Sequence, residues 1–285
     1  MPDFPIVDSH VHFWDGGVNR LSWTAAHPAI DRPFLPADLD ADRGGVELDA
    51  LVVVEADVDA GLYLKEASWA AGLAERDTRI QAVVAHAPME YGGAVGSELE
   101  KLAAMPIVRG VRRLIQGRDA EALCADGGFR EAVRMLARFD LHFELCLTHD
   151  QLPAVIDLVA ACPDVRFVLD HIAKPGIAGG EHEPWWDQIE ALAAMEHVIA
   201  CKISGVATEA DHGAWREEQL RPYIDRALEV FGSERVMFAS DWPVMRLAIT
   251  YPRWVEIVER AAADWSPADR RRLFADNAKR VYRLG

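Results

Sequence analysis

The segment from Ile6 to Trp14, IVDSHVHFW, holds two histidines, His10 and His12, on either side of one valine at the end of the first predicted strand. Side chains alternate between the two faces of a strand, so both imidazoles should stand side by side on one face. Together with His171 and Asp241 they supply three imidazoles and one carboxylate, which are ligands that a zinc-like ion accepts. We therefore expect these four side chains to form one site.

Further polar residues at the ends of predicted strands widen this pair of histidines to a ring. They are Glu55, His86, Asp170 and, after Asp241, Trp242. Glu55 is either another metal ligand or, as we favour, the hydrogen-bond partner of a ligand histidine, since carboxylates commonly orient such histidines. His86 taken alone is more typical of a histidine that bonds a backbone group. The ring as a whole predicts a site where strand ends meet.

Eight short apolar segments rich in β-branched residues predict the strands that position this ring. They begin at Phe4, Ala50, Ile80, Ile107, Leu141, Val165, Val198 and Arg235. Segments with the helical spacing of apolar residues lie between them, and this alternation indicates parallel pairing with both faces covered. Eight such units in 285 residues predict a (β/α)8 TIM barrel formed by residues 1–285 as a single domain. The second candidate fold is an open doubly wound sheet. Its dinucleotide-binding form carries GxGxxG after the first strand, and this sequence has no such motif there.

The composition argues against several classes of partner. The chain has 30 Lys and Arg against 46 Asp and Glu, a formal net charge of −16, which disfavours binding to nucleic acid. No segment approaches the roughly 18 consecutive apolar residues of a membrane span, and the first residues do not form a signal-peptide pattern. We therefore expect no membrane partner and a cytoplasmic location. The four cysteines have no CxxC spacing and are interpreted as buried thiols.

Five blocks of sequence carry a resemblance to a known family: VDSHVHFWD, RGVRRLIQ, FVLDHIAKP, CKISGVATEAD and MFASDWPV. They resemble the amidohydrolase superfamily, from residue 6 to the C-terminal NAKRVYRL, and more narrowly its branch of sugar-acid lactonases. That branch includes L-fuconolactonases, L-rhamnonolactonases and 2-pyrone-4,6-dicarboxylate lactonases. The resemblance implies a (β/α)8 fold and hydrolysis at a carbonyl carbon. It also implies that Asp241 is the base that activates water, and that His10, His12 and His171 are the matching histidines.

One departure from the wider superfamily bears on the metal. Members with two metal ions bridge them with a carboxylated lysine at the end of the fourth strand, where this chain has Arg112 and Arg113. Arginine stays charged and cannot take that role. We therefore expect one divalent metal, with zinc as the first choice, or none. The candidate ligands are His10, His12, Asp241, His171 and Glu55.

Residues near the strand ends are also candidates for substrate binding. Arg112, Lys174 and Lys202 carry positive charge that suits the ring oxygen, hydroxyl groups or carboxylate of a sugar-acid lactone. The alternative for each is a structural ion pair. Trp14 and Trp242 are either core residues or pocket walls that stack on a sugar ring.

These features predict an enzyme that opens a small-molecule sugar-acid lactone, such as an L-fucono- or L-rhamnono-lactone, by attack of a water that Asp241 deprotonates. The alternative is a metal-dependent decarboxylase, or another hydrolase of the superfamily acting on a small carboxylic substrate. A decarboxylase would need a ligand at the end of the fifth strand, where His149 is the candidate. A binding or scaffold protein is a third hypothesis, which the convergent polar ring disfavours. The identity of the sugar and the formation of a homo-oligomer stay open.

Overall fold

The structure, a computed structural model, describes residues 2–285 and contains an eight-stranded parallel sheet. The strands lie in the order in which they occur along the chain, and each pairs in parallel with the next. The strands are β1 (Ile6–Val11), β2 (Leu48–Val54), β3 (Ile80–His86), β4 (Val108–Arg112), β5 (His142–Leu145), β6 (Phe167–Leu169), β7 (Val198–Ile203) and β8 (Val236–Phe238).

The sheet closes on itself where the segment after β8 meets the end of β1. Val11 and Trp242 form a parallel bridge. The backbone N–H of Asp241 donates to the carbonyl of His10 at 2.9 Å, and the N–H of His12 donates to the carbonyl of Trp242 at 2.7 Å. This closure confirms the predicted (β/α)8 barrel.

Helices follow the strands and cover the outside of the barrel. They are α1 (Pro36–Asp42), α2 (Tyr63–Ala74), α3 (Gly96–Ala103), α4 (Ala120–Ala125), α5 (Gly127–Met135), α6 (Leu152–Ala160), α7 (Trp185–Ala193), α8 (Glu217–Phe231), α9 (Tyr251–Ala261), α10 (Pro267–Arg271) and α11 (Asn277–Tyr282). Among residues 2–285, none of these helices combines the length and the hydropathy that crossing a bilayer requires.

The barrel interior is apolar in its lower part and charged in its upper part. Small and branched side chains from the strands, such as Val52 and Val168, pack with Val281 and Tyr282 of α11, which covers the N-terminal end of the barrel. The hydroxyl of Tyr282 reaches up to donate to Glu144 at 2.6 Å. Above this level the strands carry ionisable residues toward the C-terminal ends, where the site lies.

All eight predicted strands are present, but β6 and β8 have only three residues each. Their predicted segments run on through Asp170 and Asp241. In the structure the backbone leaves the extended conformation there, since His171 and Asp241 adopt φ values of 52° and 63°. The polar residues at these two strand ends therefore belong to the loops over the barrel mouth.

Gly110 in β4 leaves room for a neighbouring buried side chain, so Gly110→Ala should destabilise the barrel. A Cβ there would lie 2.3 Å from Nε2 of His142, and overpacking of this kind costs about 1–3 kcal/mol. The matched control is Gly72→Ala in α2, where nothing else among residues 2–285, apart from the helix's own backbone and the chain neighbours, lies within 4 Å of the added Cβ and the helix should gain about 0.5–1 kcal/mol. Urea unfolding of both variants measures the change. Equal stability of Gly110→Ala and the wild type would contradict this packing.

Candidate active site

Three side chains from the two ends of the closed sheet meet at the mouth of the barrel. Nε2 of His12 lies 3.1 Å from Nε2 of His10 and 3.2 Å from Oδ1 of Asp241. Asp241 Oδ1 also lies 3.7 Å from Nε2 of His10 and 3.9 Å from Nε2 of His171. All four are buried. The structure thus brings together the four residues that the sequence analysis grouped.

Asp8, which the sequence analysis did not assign to the site, ties the two ends together. One of its carboxylate oxygens accepts the backbone N–H groups of His10 at 3.2 Å and Ser240 at 2.9 Å. The other accepts the hydroxyl of Tyr251 at 2.8 Å. Burial raises the pKa of Asp8 to about 6 in spite of these bonds. The sequence signal that could have identified Asp8 is its position in the block VDSHVH, two residues before His10.

His171 and Lys174 are presented by an unusual turn after β6. The four residues from His171 to Lys174 all have positive φ values, between 46° and 61°. L-residues adopt this left-handed conformation at a cost of roughly 1–2 kcal/mol each. Nδ1 of His171 lies 2.8 Å from Oγ of Ser204. Gly205, which follows Ser204, packs against His171. A Cβ added to Gly205 would lie 2.8 Å from Cβ of His171.

A buried ion pair between β4 and the end of β2 forms one side of the site. Arg112 donates from Nε to Glu55 at 2.6 Å and from Nη1 to Asp170 at 3.3 Å. Burial alone would raise the pKa of Glu55. The charge of Arg112 and the contact with His86 outweigh this effect and hold the pKa well below its ordinary value. His86 lies 3.5 Å from Glu55. Glu55 therefore serves Arg112 rather than one of the paired histidines.

Lys202 does not reach the cavity. It is fully buried, donates to Glu144 at 2.5 Å and lies 3.1 Å from Nδ1 of His10. Asp170 lies 3.0 Å from the same ammonium group. Although burial acts in the opposite direction, the charge of Lys202, with those of His171 and Arg112, lowers the pKa of Asp170 to about 2. Lys202 is therefore a buried cation beside His10 and is not part of the cavity wall.

A cavity of about 350 Å³ opens above the four grouped residues. Of the sequence-predicted residues, His12, His171, Asp241, Arg112 and Lys174 line it. The lining residues that the sequence analysis missed include Trp23, His27, Asp57, Gln116, Cys146 and Leu247. They belong to loops and strand ends whose spacing carries no motif.

Trp14, Trp242 and His149 lie outside this lining. Trp14 is buried and donates to the carbonyl of Arg32 at 2.7 Å. Trp242 is fully buried and donates to Asp42 at 2.9 Å. His149 holds the carbonyl of Lys174 at 3.2 Å. Directly after β5, Cys146 rather than His149 lines the cavity, and burial raises the pKa of its thiol to about 12.

The site keeps Asp241 ionised and His171 neutral near pH 7. Burial works against the charge of Asp241, but its contacts with His171, His12 and His10 hold its pKa below the ordinary value. Burial lowers the pKa of His171 to about 4. One carboxylate thus faces three imidazoles, an arrangement suited to accepting a proton or holding a cation.

The ligand atoms of His10, His12 and Asp241 all lie within 4.8 Å of one another, and they fit one divalent cation. His12 donates its Nδ1–H to the carbonyl of Val54 at 2.9 Å, so in the neutral ring its Nε2 presents a lone pair to Asp241. The lone pair on Nε2 of His12 and the carboxylate of Asp241 repel each other unless a proton or a cation lies between them. His171, whose Nε2 lies 3.9 Å from Oδ1 of Asp241, has this spacing in a separate group with His10 and Asp170. His10 could bind the same cation through Nε2 only in the form in which that nitrogen carries no hydrogen.

A second group, Glu55, Asp57 and His86, has similar spacing. Glu55 already accepts from Arg112 at 2.6 Å and from the N–H of Asp57 at 2.8 Å. Because both of its oxygens are in use, this group is a poorer match to a metal ion than the first.

A family model described as amidohydrolase matches residues 7–284 of the chain. The chain belongs to the amidohydrolase family. An L-fucono-1,5-lactonase from Burkholderia ambifaria is 32% identical over 287 residues, which cover 98% of this chain and 95% of the relative. An amidohydrolase from Burkholderia multivorans, solved with bound zinc, has a TM-score of 0.87 and 31% identity and covers 99% of this chain and 100% of that one. An L-rhamnono-gamma-lactonase from Scheffersomyces stipitis is 19% identical over the full length of both proteins.

Gly205→Ala should impair this amidohydrolase by displacing His171. The added Cβ would approach the Cβ of His171 to 2.8 Å, and a displacement of this kind lowers kcat by about tenfold or more. The matched control is Gly180→Ala, where φ is a similar 67° and the added Cβ would meet nothing within 4 Å in the described part of the chain beyond its own neighbours. Both variants should lose stability through the positive φ, Gly205→Ala more than Gly180→Ala because of the added contact, but only Gly205→Ala should lose kcat for lactone hydrolysis. Equal kcat values for the two would contradict this role of Gly205.

Glu66 of α2 makes stability depend on pH. Its Oε1 accepts the N–H of Ala56 at 2.8 Å, and its Oε2 is buried with no hydrogen-bond partner among the residues that the structure describes. Burial beside Glu55 raises its pKa to about 8 from a model-peptide value of 4.5. The folded state therefore binds this proton more tightly than the unfolded chain. Its contribution to the free energy of unfolding falls as the pH rises from about 4.5 to about 8.

Glu66→Gln, which cannot ionise, should become more stable relative to the wild type as the pH rises across this range. The difference in free energy of unfolding should grow by at most about 1.4 kcal/mol per pH unit, measured by urea unfolding at pH 5 and pH 8. The control is Glu75→Gln at the exposed end of α2, which should show a constant difference. Parallel pH profiles for Glu66→Gln and the wild type would show that Glu66 ionises normally.

Proposed function

We propose that the chain hydrolyses a sugar-acid lactone, such as an L-fucono- or L-rhamnono-lactone, with Asp241 as the base. The observation that carries this proposal is the carboxylate of Asp241 among three imidazoles at the floor of a cavity lined by Arg112 and Lys174. A cavity of about 350 Å³ is in the size range of small-molecule sites. The two full-length relatives named as lactonases support the same reaction.

The proposed reaction moves one proton twice. Asp241 takes a proton from a water as the water oxygen bonds to the lactone carbonyl carbon, which forms a tetrahedral intermediate. The bond from that carbon to the ring oxygen then breaks, and the proton on Asp241 passes to this oxygen as it becomes a hydroxyl group. The product is the open sugar acid, and Asp241 returns to its ionised form.

Asp241 is a weak base because its pKa lies below the ordinary value, so the reaction needs positive charge near the developing oxyanion. Arg112 and Lys174 line the cavity and carry such charge. Lys174 lies 3.6 Å from Glu209, its ion-pair partner. A divalent metal held by His10, His12, Asp241 and His171 would polarise the carbonyl and lower the pKa of the water. Zinc is the first candidate, because the Burkholderia multivorans amidohydrolase was solved with zinc.

The walls of the cavity offer separate surfaces for the two kinds of group on such a substrate. Gln116 and Asp57 can bond hydroxyl groups of the sugar acid, whereas Trp23, Val244 and Leu247 present apolar surface. Trp23 is held in place because its indole N–H donates to the carbonyl of Ala56 at 2.9 Å. We propose that Trp23, rather than Trp14 or Trp242, is the aromatic wall of the substrate site.

Asp241→Asn should abolish lactone hydrolysis while the fold persists. The amide occupies the same space but cannot take the proton, so kcat should fall by about 10²–10⁴. A pH-indicator assay against a panel of sugar-acid lactones, before and after chelation, measures activity, and metal content is determined in parallel. The control is Asp150→Asn, an exposed aspartate on the loop after β5, which should retain full activity.

Each result of this assay decides one part of the proposal. Acid release from none of the lactones would overturn the proposed function. Wild-type activity in Asp241→Asn would overturn the role of Asp241. Activity that persists after removal of all metal would exclude an essential ion and leave Arg112 and Lys174 as the charges that stabilise the oxyanion.

A further inference from the structure

Lys202 lies against His10 on the side away from the cavity, where substrate does not reach. Its side chain is fully buried. Nζ donates to Oε2 of Glu144 at 2.5 Å and forms an ion pair with Oδ1 of Asp170 at 3.0 Å. Its third neighbour is Nδ1 of His10, at 3.1 Å. The cation therefore has two carboxylates and one imidazole nitrogen as partners.

The chemistry of these partners fixes the direction of the bond to His10. An ammonium group has three donor hydrogens and no acceptor. Because all three of its neighbours are acceptor atoms, Lys202 donates and Nδ1 of His10 accepts. A ring nitrogen that accepts a hydrogen bond carries no hydrogen, so the ring is neutral and its one proton is left for Nε2.

We propose that Lys202 is a positioning residue that sets the tautomer of His10 and keeps its proton on Nε2. This N–H points toward the floor of the cavity, where Nε2 of His12 lies at 3.1 Å and Oδ1 of Asp241 at 3.7 Å. His12 is oriented in turn by its bond to the carbonyl of Val54. Hydrogen bonds therefore run in one direction, from Lys202 through His10 to His12.

Arg112 favours the opposite tautomer and is the competitor of Lys202. Its Nη1 lies 3.3 Å from Nε2 of His10 and would donate to that nitrogen if it carried no hydrogen. Oδ1 of Asp170, 3.5 Å from Nδ1, would then face the proton on the other nitrogen. With Lys202 present, that tautomer would direct an N–H at an ammonium group 3.1 Å away. Without Lys202, Arg112 and Asp170 should draw the proton to Nδ1.

The tautomer decides how well His10 binds a cation. A ligand nitrogen must present its lone pair, and the bond made by the other ring nitrogen sets which of the two does so. Lys202 keeps a hydrogen on the nitrogen of His10 that faces Asp241. It thereby weakens His10 as a metal ligand and retains it as a hydrogen-bond donor toward the cavity.

The test compares the wild type with the double variant Lys202→Met/Glu144→Gln, which removes one positive and one negative charge together. NMR of metal-free protein with ¹⁵N-labelled histidine reports which nitrogen of His10 carries the proton. We expect Nε2 in the wild type and Nδ1 in the double variant. Zinc titration should show an affinity about tenfold or more higher in the double variant.

The matched control is Glu144→Gln alone, which keeps Lys202 and should keep the wild-type tautomer and zinc affinity. Protonation of Nδ1 in the wild type would overturn the proposal, as would one tautomer with and without Lys202. If the double variant fails to fold, the wild-type spectrum still decides. None of these measurements uses a lactone, so their outcome is independent of the proposed function.

Discussion

The hydrogen bonds that join the end of β1 to the segment after β8 are the contacts on which the site depends. They pair the backbone of His10 with Asp241 and that of His12 with Trp242, residues separated by about 230 positions in the chain. A barrel must close at this seam, and closure there sets the carboxylate of Asp241 beside two histidines. Asp8 reinforces the seam because one carboxylate oxygen binds N–H groups from both of its sides. The contacts that close the fold therefore also assemble the site.

Below the seam, the interior carries buried charges that are stabilised by ion pairs with one another. Arg112 and Lys202 supply the positive charges, and Glu55, Glu144 and Asp170 supply the negative ones. Removing a single partner from such a group leaves an uncompensated buried charge, which commonly costs several kcal/mol. The amidohydrolase retains these charges although a hydrophobic core would be simpler to stabilise. Their position directly behind the histidines indicates that they act on the electrostatics of the site.

The turn from His171 to Lys174 also holds side chains at the cavity at a cost in backbone stability. Its left-handed residues include the β-branched Ile172, for which positive φ is unusual. The surrounding structure compensates: Trp185 donates to the carbonyl of Ile172 at 2.9 Å, and His149 lies against the carbonyl of Lys174. Strained backbone of this kind is concentrated at functional sites. Here it places an imidazole and an ammonium group on one cavity.

The sequence alone determined the fold class and the chemical character of the site. Apolar segments of strand length alternate with helical segments, and that local periodicity is enough to indicate a barrel. The HxH spacing follows from strand geometry, and polar residues at strand ends of a barrel must converge, so His10, His12, His171 and Asp241 could be grouped. What spacing cannot encode is which residues from distant strands touch. Only the tertiary structure decided that Lys202 lies behind His10, that Glu55 pairs with Arg112, and that Trp23 rather than Trp14 or Trp242 faces the cavity. Those outcomes depend on side-chain direction, strand register and loop paths, which arise from packing across the whole barrel and leave no local pattern in the chain.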